Sequence, residues 1–486
     1  MPATLSLLPS GPLALCRAEA PGPAARSAVF VLSGEARRWF ALAVGSLVVA
    51  GLLSLAVVLG RIPGLAGVID DPLFFKRCLV VHVDLALVVW FYAFLAGLAA
   101  VRSAPGRGSI GTAAYGLALA GTVAMLAGAL MRGAQPVLAN YVPVIDHPLF
   151  LGGLAAFFVG TLFFLIESLG RPTRSSEGAP SAAAAAGWQA AAIAYVLAGA
   201  TWVATRASLP DGLDVTTRFE FSAWGAGHVL QVANTAALLG VWLWLLERAT
   251  GRPALAPGKA GLAFTLLVAP HFVMPWLTAR GALDALYHSG ATQLMRWGIF
   301  PVVLAFVVLG VAHLRRHGLA RGDALAPVAR TGFVASVGLA LLGIVLGACI
   351  RGSTTLVPAH YHAALGAVTV SFMAAAYLVC SAASRSGLAA KVAGAARRQL
   401  RLFGLGQTVF ALGFALGGLY GLGRKAYASE QHVRSTGEYA GLAVMGVGGL
   451  VATAAGLWFL LLVLREMRGW WARRAAAPEF SVPSTP

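Results

Sequence analysis

The residues best equipped for chemistry are two histidines two positions apart, in Pro358-Ala359-His360-Tyr361-His362-Ala363, heading an apolar run that reaches Ala383. A neutral imidazole offers a lone pair to a metal and is the commonest protein ligand for one. Successive helical residues turn by about 100°, so His360 and His362 leave one helix about 200° apart, toward opposite sides. Ionisable groups inside a bilayer turn to protein or to a cofactor rather than to lipid. One helix is therefore set up to ligate two separate centres. Three further histidines sit in apolar surroundings: His82 in Val81-His82-Val83-Asp84, His228 in Gly227-His228-Val229, and His271 directly after Pro270.

Membrane helices must position these groups. The 486 residues are 58% hydrophobic and only 11% charged, with a mean hydropathy of +0.78, which excludes an ordinary soluble enzyme and indicates a polytopic membrane protein. Segments long enough to cross a bilayer recur twelve times, near 39–60, 77–101, 110–131, 147–169, 187–205, 222–246, 260–279, 293–314, 331–350, 358–383, 402–422 and 438–464. The fold class is thus all-α, with one transmembrane domain over 35–467 between a Pro, Ala and Ser-rich tail (1–34), read as flexible, and a tail over 468–486. Residues 1–34 lack the basic start and cleavage site of a signal peptide. Cys16, Cys78, Cys349 and Cys380 fall singly, with no CxxCH motif and no paired-cysteine copper motif.

Charge sets the orientation. With the N-terminus inside, 24 of the 36 Lys and Arg face the cytoplasm, including Arg315-Arg316 and Arg397-Arg398-Gln399-Leu400-Arg401. Both termini are then cytoplasmic, in a bacterial-type inner membrane. The net charge of +18 reflects topology and contact with anionic lipid, not nucleic-acid binding. In this orientation four helices, the second, sixth, seventh and tenth, bring His82, His228, His271, His360 and His362 to one layer in the outer half of the membrane. Five unliganded imidazoles there would each need a polar partner. Taken singly, any of them also fits a hydrogen-bonded packing role. His147, His288, His313, His317 and His432 are read as interfacial, with His288 also kept as a metal-ligand candidate.

These residues make the chain resemble the catalytic subunit (subunit I) of the heme–copper oxidase superfamily, which includes oxygen reductases and nitric oxide reductases. The likeness spans about 37–465 and rests on His82, Gly227-His228, His271, Ala359-His360-Tyr361-His362 and the basic turn Gly418-Leu419-Tyr420-Gly421-Leu422-Gly423-Arg424-Lys425. It implies a respiratory membrane oxidoreductase with two hemes and a non-heme metal, copper or iron. His82 and His362 would be axial ligands of a low-spin heme, and His360 the ligand of a high-spin heme. His228 and His271 would hold the non-heme metal, and Arg424 and Lys425 would neutralise propionates.

The chain also departs from that family. Pro270 stands where a second adjacent histidine is usual, leaving two imidazoles for the metal; His288, a carboxylate or a water would complete the set, or the metal is absent. No tyrosine occurs one turn after His228, where Val232 stands, or within 260–279. That weakens the case for four-electron oxygen chemistry and favours nitric oxide as substrate, although helix six offers Gln231 and Asn234 where the family's nitric oxide reductases use glutamates. The eighth helix lacks the lysine and threonine of an inner proton channel, so proton pumping is not expected. Asp84 is read as a hydrogen-bond partner of a nearby histidine. Electrons would come from a donor subunit, quinol or cytochrome c within a multi-subunit respiratory complex. The alternatives are a terminal oxygen reductase, a degenerate diheme electron relay and a twelve-helix transporter.

Overall fold

The computed structural model describes residues 32–59, 71, 73–103, 109–172, 179–383, 390–424 and 433–475. Cys16, Lys425, His432 and most of both expected tails lie outside the described residues. Among the described residues twelve apolar helical spans cross the molecule: α1 Gly34–Ala56, α2 Phe74–Arg102, α3 Ile110–Ala129, α4 Pro148–Leu169, α5 Ala182–Ser208 and α6 Val215–Thr250, followed by α7 Pro257–Ala279, α8 Ala285–Arg316, α9 Ala326–Ala348, α10 Leu356–Ala383, α11 Lys391–Leu419 and α12 Thr436–Trp470. The chain is an integral membrane protein, and each span matches one expected from the sequence.

The ends differ where the first turns are polar. α6 starts at Val215, with Asp214 capping it by accepting the Thr217 N–H at 3.0 Å. α8 starts at Ala285, where Asp284 accepts the Leu286 N–H at 2.7 Å. A side-chain oxygen at the N-cap satisfies an amide that the helix cannot, so these helices extend beyond their apolar windows. The last helix likewise continues to Ala475, past the expected tail boundary at 468.

The spans form a centre and a rim. In α2, α6 and α10, 72%, 89% and 83% of the most apolar window is buried, against 28% in α8 and α12. The three central helices carry four of the five histidines singled out above. Well below the histidine layer α2 and α10 pack directly, with Phe94 stacked on Phe372 at 4.6 Å between centroids and Trp90 tilted against Phe94 at 4.9 Å. α6, α9 and α10 are joined by a short polar relay: Trp242 Nε1 donates to Ser336 Oγ at 2.8 Å, and Ser336 Oγ donates to Ala367 O at 2.7 Å.

Between α3 and α4 a small antiparallel hairpin pairs β1 (Gln135–Val137) with β2 (Val144–Asp146) in the register Pro136↔Ile145. Arg77 fixes its approach. Buried at the head of α2, Arg77 donates to Ala129 O at 2.8 Å and Ala134 O at 3.4 Å and pairs with Asp71.

Two outcomes test this framework. Ser336→Ala strands the buried Trp242 N–H and should destabilise the protein by about 1–2 kcal/mol, read as a lower unfolding midpoint in detergent. The hydrogen bond from Arg77 holds the Asp71 carboxyl below its ordinary range. Its stabilising contribution is therefore present above the unfolded-state pKa and is lost as pH falls through the lower native one. Asp71→Asn should lower the midpoint at neutral pH, and the gap from the parent should narrow below about pH 4.

Candidate functional site

Four of the five histidines share one geometry. His82 Nδ1 lies 2.8 Å from Ala50 O on α1, His360 Nδ1 2.7 Å from Gly343 O on α9, His228 Nδ1 2.8 Å from Trp224 O, and His271 Nδ1 3.0 Å from Leu267 O. A carbonyl only accepts, so Nδ1 carries the proton in each ring and the Nε2 lone pair points away from the backbone. This is how proteins commonly fix an imidazole that ligates through Nε2. His362 differs: its ring stacks on Phe414 (interplanar angle 9°) and meets Phe410 edge-on at 4.7 Å.

Local backbone irregularities gather beside these rings. α2 turns π-helical over Asp84–Val89, directly after His82. His271 sits in the 3-10 segment Ala269–Val273, with Pro270 before it and Pro275 after it. In a 3-10 turn an N–H reaches the i−3 carbonyl, which leaves Leu267 O, the i−4 carbonyl, for the imidazole. α8 is π-helical over Leu294–Ile299, and its Gly298 lies against His271, where an added Cβ would come within 2.8 Å of Cε1. A Cβ at Gly347 would lie 2.7 Å from His360 Nδ1. The rings occupy space that only these glycines leave open.

The histidines form two groups. His362 lies within electrostatic reach of His82, and His228 within reach of both His271 and His288. In the second group His271 is 1% exposed and its Nε2 has no hydrogen-bond partner. A buried acceptor left unpaired is costly, and a metal ion would relieve that. The Nε2 of His288 donates to Ala282 O at 2.9 Å, which leaves Nδ1 as its acceptor, and its ring stands edge-on to Trp224 at 4.5 Å. Among the described residues no three His, Cys, Asp or Glu side chains converge as a metal site.

A different residue fills the place beside His228. Tyr141, in the loop between β1 and β2, donates its hydroxyl to His228 Nε2 at 3.1 Å. It is the one non-glycine with positive φ (68°) among the described residues, a conformation that costs of order 1 kcal/mol and tends to persist at functional sites. Gly227 makes room for it, since a Cβ there would lie 2.3 Å from Tyr141 Cγ. Asn140, next in chain, donates to Glu220 at the head of α6 and pins the loop. Tyr287, fully buried, packs against Trp224 at 4.9 Å, its hydroxyl beside Thr205 and Thr278 without a well-formed hydrogen bond. The family pattern places a tyrosine on the sixth or seventh helix, where this chain has none. No periodic signal marks Tyr141, which reaches the site from a loop 87 residues away.

The remaining candidates are placed as follows. Arg424 donates to Ser353 Oγ at 2.9 Å, and its turn is joined to the entry of α10 by the Thr354–Gly423 bridge and by Thr355 N–H to Leu422 O at 2.9 Å. That puts a cation at the end of α10 where His360 and His362 begin. Asp84 is fully buried, and neither oxygen has a hydrogen-bond partner, so the expected bond to a histidine is not made. His147 accepts the Leu149 N–H at the start of α4, and His313 pairs with Thr250 at 2.9 Å near the C-terminal end of α8. Both serve the scaffold.

No family model matches the chain. The chain is 31% identical over 344 residues to an uncharacterized protein of Aquifex aeolicus, covering 70% of this chain and 83% of that one. It is 22% identical to an uncharacterized protein of Rickettsia prowazekii, covering 89% and 96% respectively. Among solved structures, a heme–copper terminal oxidase determined by cryo-electron microscopy superposes with a TM-score of 0.61 at 16% identity, over 92% of this chain and 84% of that one. The chain therefore belongs to the same family as the Aquifex aeolicus protein and has the fold of a heme–copper terminal oxidase.

Proposed function

We propose that this chain is the heme-bearing subunit of a membrane oxidoreductase that reduces a small diatomic gas. The observation that supports this most directly is the repeated imidazole geometry: four rings, each with Nδ1 tied to a backbone carbonyl and the Nε2 lone pair turned away from it, that of His228 toward the Tyr141 hydroxyl. His82 and His362 would hold a low-spin heme and His360 a high-spin heme on the other side of α10. His228 and His271 would hold a non-heme metal, with the Tyr141 hydroxyl, rather than His288, as the next protein donor.

When bound, one such heme would supply electron transfer and the other an iron able to take up the gas. The chain's own residues do the rest. The carbonyls of Ala50, Gly343, Trp224 and Leu267 orient the rings, and the aromatic wall of Trp224 and Tyr287 limits water at the gas pocket. Tyr141, one hydrogen bond from His228, is placed to hold or donate a proton there. Arg424, with Lys425 next in sequence, would neutralise propionates at the membrane edge.

The missing tyrosine on α6 and α7 supports nitric oxide as substrate. Tyr141 supports a second reading, oxygen, because it restores a phenol to the metal's side from another element. The middle of α8, Trp297 to Ala312, carries no titratable or hydroxyl side chain, which supports reduction without proton pumping. The reading includes an electron-donor subunit, quinol or cytochrome c in a multi-subunit respiratory complex of a bacterial-type inner membrane, with both termini cytoplasmic.

Reduced protein should show heme bands and a CO-difference signal. His360→Ala should abolish the CO signal and keep the low-spin bands, whereas His82→Ala should remove the low-spin bands; a CO signal that survives His360→Ala would sink the assignment. Tyr141→Phe should preserve both heme signals and lower gas turnover about a hundredfold. Assaying it with nitric oxide and with oxygen identifies which reaction uses the phenol.

A further inference from the structure

A groove of about 500 Å³ opens between α9 and α11. Arg330, Arg397 and Arg401 line it together with Val334, Gly338 and Leu405. No carboxylate and no histidine lines it, and among the described residues no carboxylate pairs with the three arginines. Arg397 Nε is buried without a hydrogen-bond partner. Three guanidinium groups around one cavity with no counter-charge repel one another, so the cavity suits an anion.

The groove faces outward and is graded by depth. Val334 and Leu405 are 55% and 60% exposed, so its walls open to lipid. Its floor is the close approach of α11 to α9, where a Cβ on Gly404 would lie 3.1 Å from that of Ala335. Arg330 is in the first turns of α9, while Arg397 and Arg401 precede the apolar run that begins at Leu402. These helix ends are the ones the Lys and Arg distribution places at the inner membrane face. Val334 and Gly338 lie roughly 6 and 12 Å deeper along α9 at 1.5 Å per residue. The groove thus has a cationic mouth at headgroup level and an apolar slot below it.

We infer that this groove is a binding site for an anionic glycerophospholipid of the inner leaflet. The arginines would take the phosphate, which matches guanidinium geometry, and an acyl chain would lie along Val334, Gly338 and Leu405. A quinol fits less well, because it sheds protons on oxidation and the groove has no carboxylate or imidazole to accept them. The inference stands independently of any heme.

Native mass spectrometry of the full chain, released from mild detergent with phosphatidylglycerol or phosphatidylcholine added, tests it. Phosphatidylglycerol should be retained preferentially, and R330Q/R397Q/R401Q should weaken retention about fivefold per arginine. V334W, which keeps all three charges and fills the slot, should also weaken it and covers the case in which the triple variant does not fold. Equal retention of the two lipids, unchanged retention in V334W, or displacement by millimolar inorganic phosphate would overturn the proposal. The last result would indicate a site for the free anion.

Discussion

The bond on which the site depends is the one from a histidine Nδ1–H to a backbone carbonyl. An imidazole inside a bilayer has no water to pair with, and an unpaired polar group there costs several kcal/mol. Here that requirement also sets what each ring can offer: once Ala50 O, Gly343 O, Trp224 O or Leu267 O takes the proton-bearing nitrogen, the tautomer is set and the other nitrogen keeps its lone pair. Two of these carbonyls come from neighbouring helices and two from one turn earlier on the same helix. The site is thus tied both to helix packing and to local irregularity in α7.

Space is the second constraint. Interiors are close-packed, so a ring that must sit against a helix needs a residue without a side chain beneath it. Gly347 under His360, Gly298 under His271 and Gly227 under Tyr141 are such places. The π-helical and 3-10 segments in α2, α8 and α7 lie beside the same rings. Regular helices would rotate these side chains elsewhere, and the departures re-aim them while the rest of each span stays regular.

The centre-and-rim arrangement follows from the same economy. α2, α6 and α10 give up lipid contact and pack through large aromatic rings, so their polar groups face protein. α8 and α12 keep apolar side chains outward and carry none of the five layered histidines. The Ser336 relay and the Phe94–Phe372 stack hold the central helices below the histidine layer. The upper part is organised by imidazoles, aromatic rings and the hairpin.

The sequence by itself determined the twelve spans, their all-α class and the histidines of interest. Burial in lipid demands long apolar runs, and a polar group within one is conspicuous against them. It could also place His360 and His362 on opposite sides of α10, because helical geometry is local. Tertiary structure alone decided which groups meet. Tyr141 reaches His228 from a loop whose composition gives no hint of it, held by a positive φ and admitted by a glycine 86 positions along the chain. His288, near in space, is tied to a carbonyl through Nε2, and Asp84 finds no histidine at all. The direction of a loop and the choice among competing hydrogen-bond partners depend on the packing of distant elements, which no short window of residues contains.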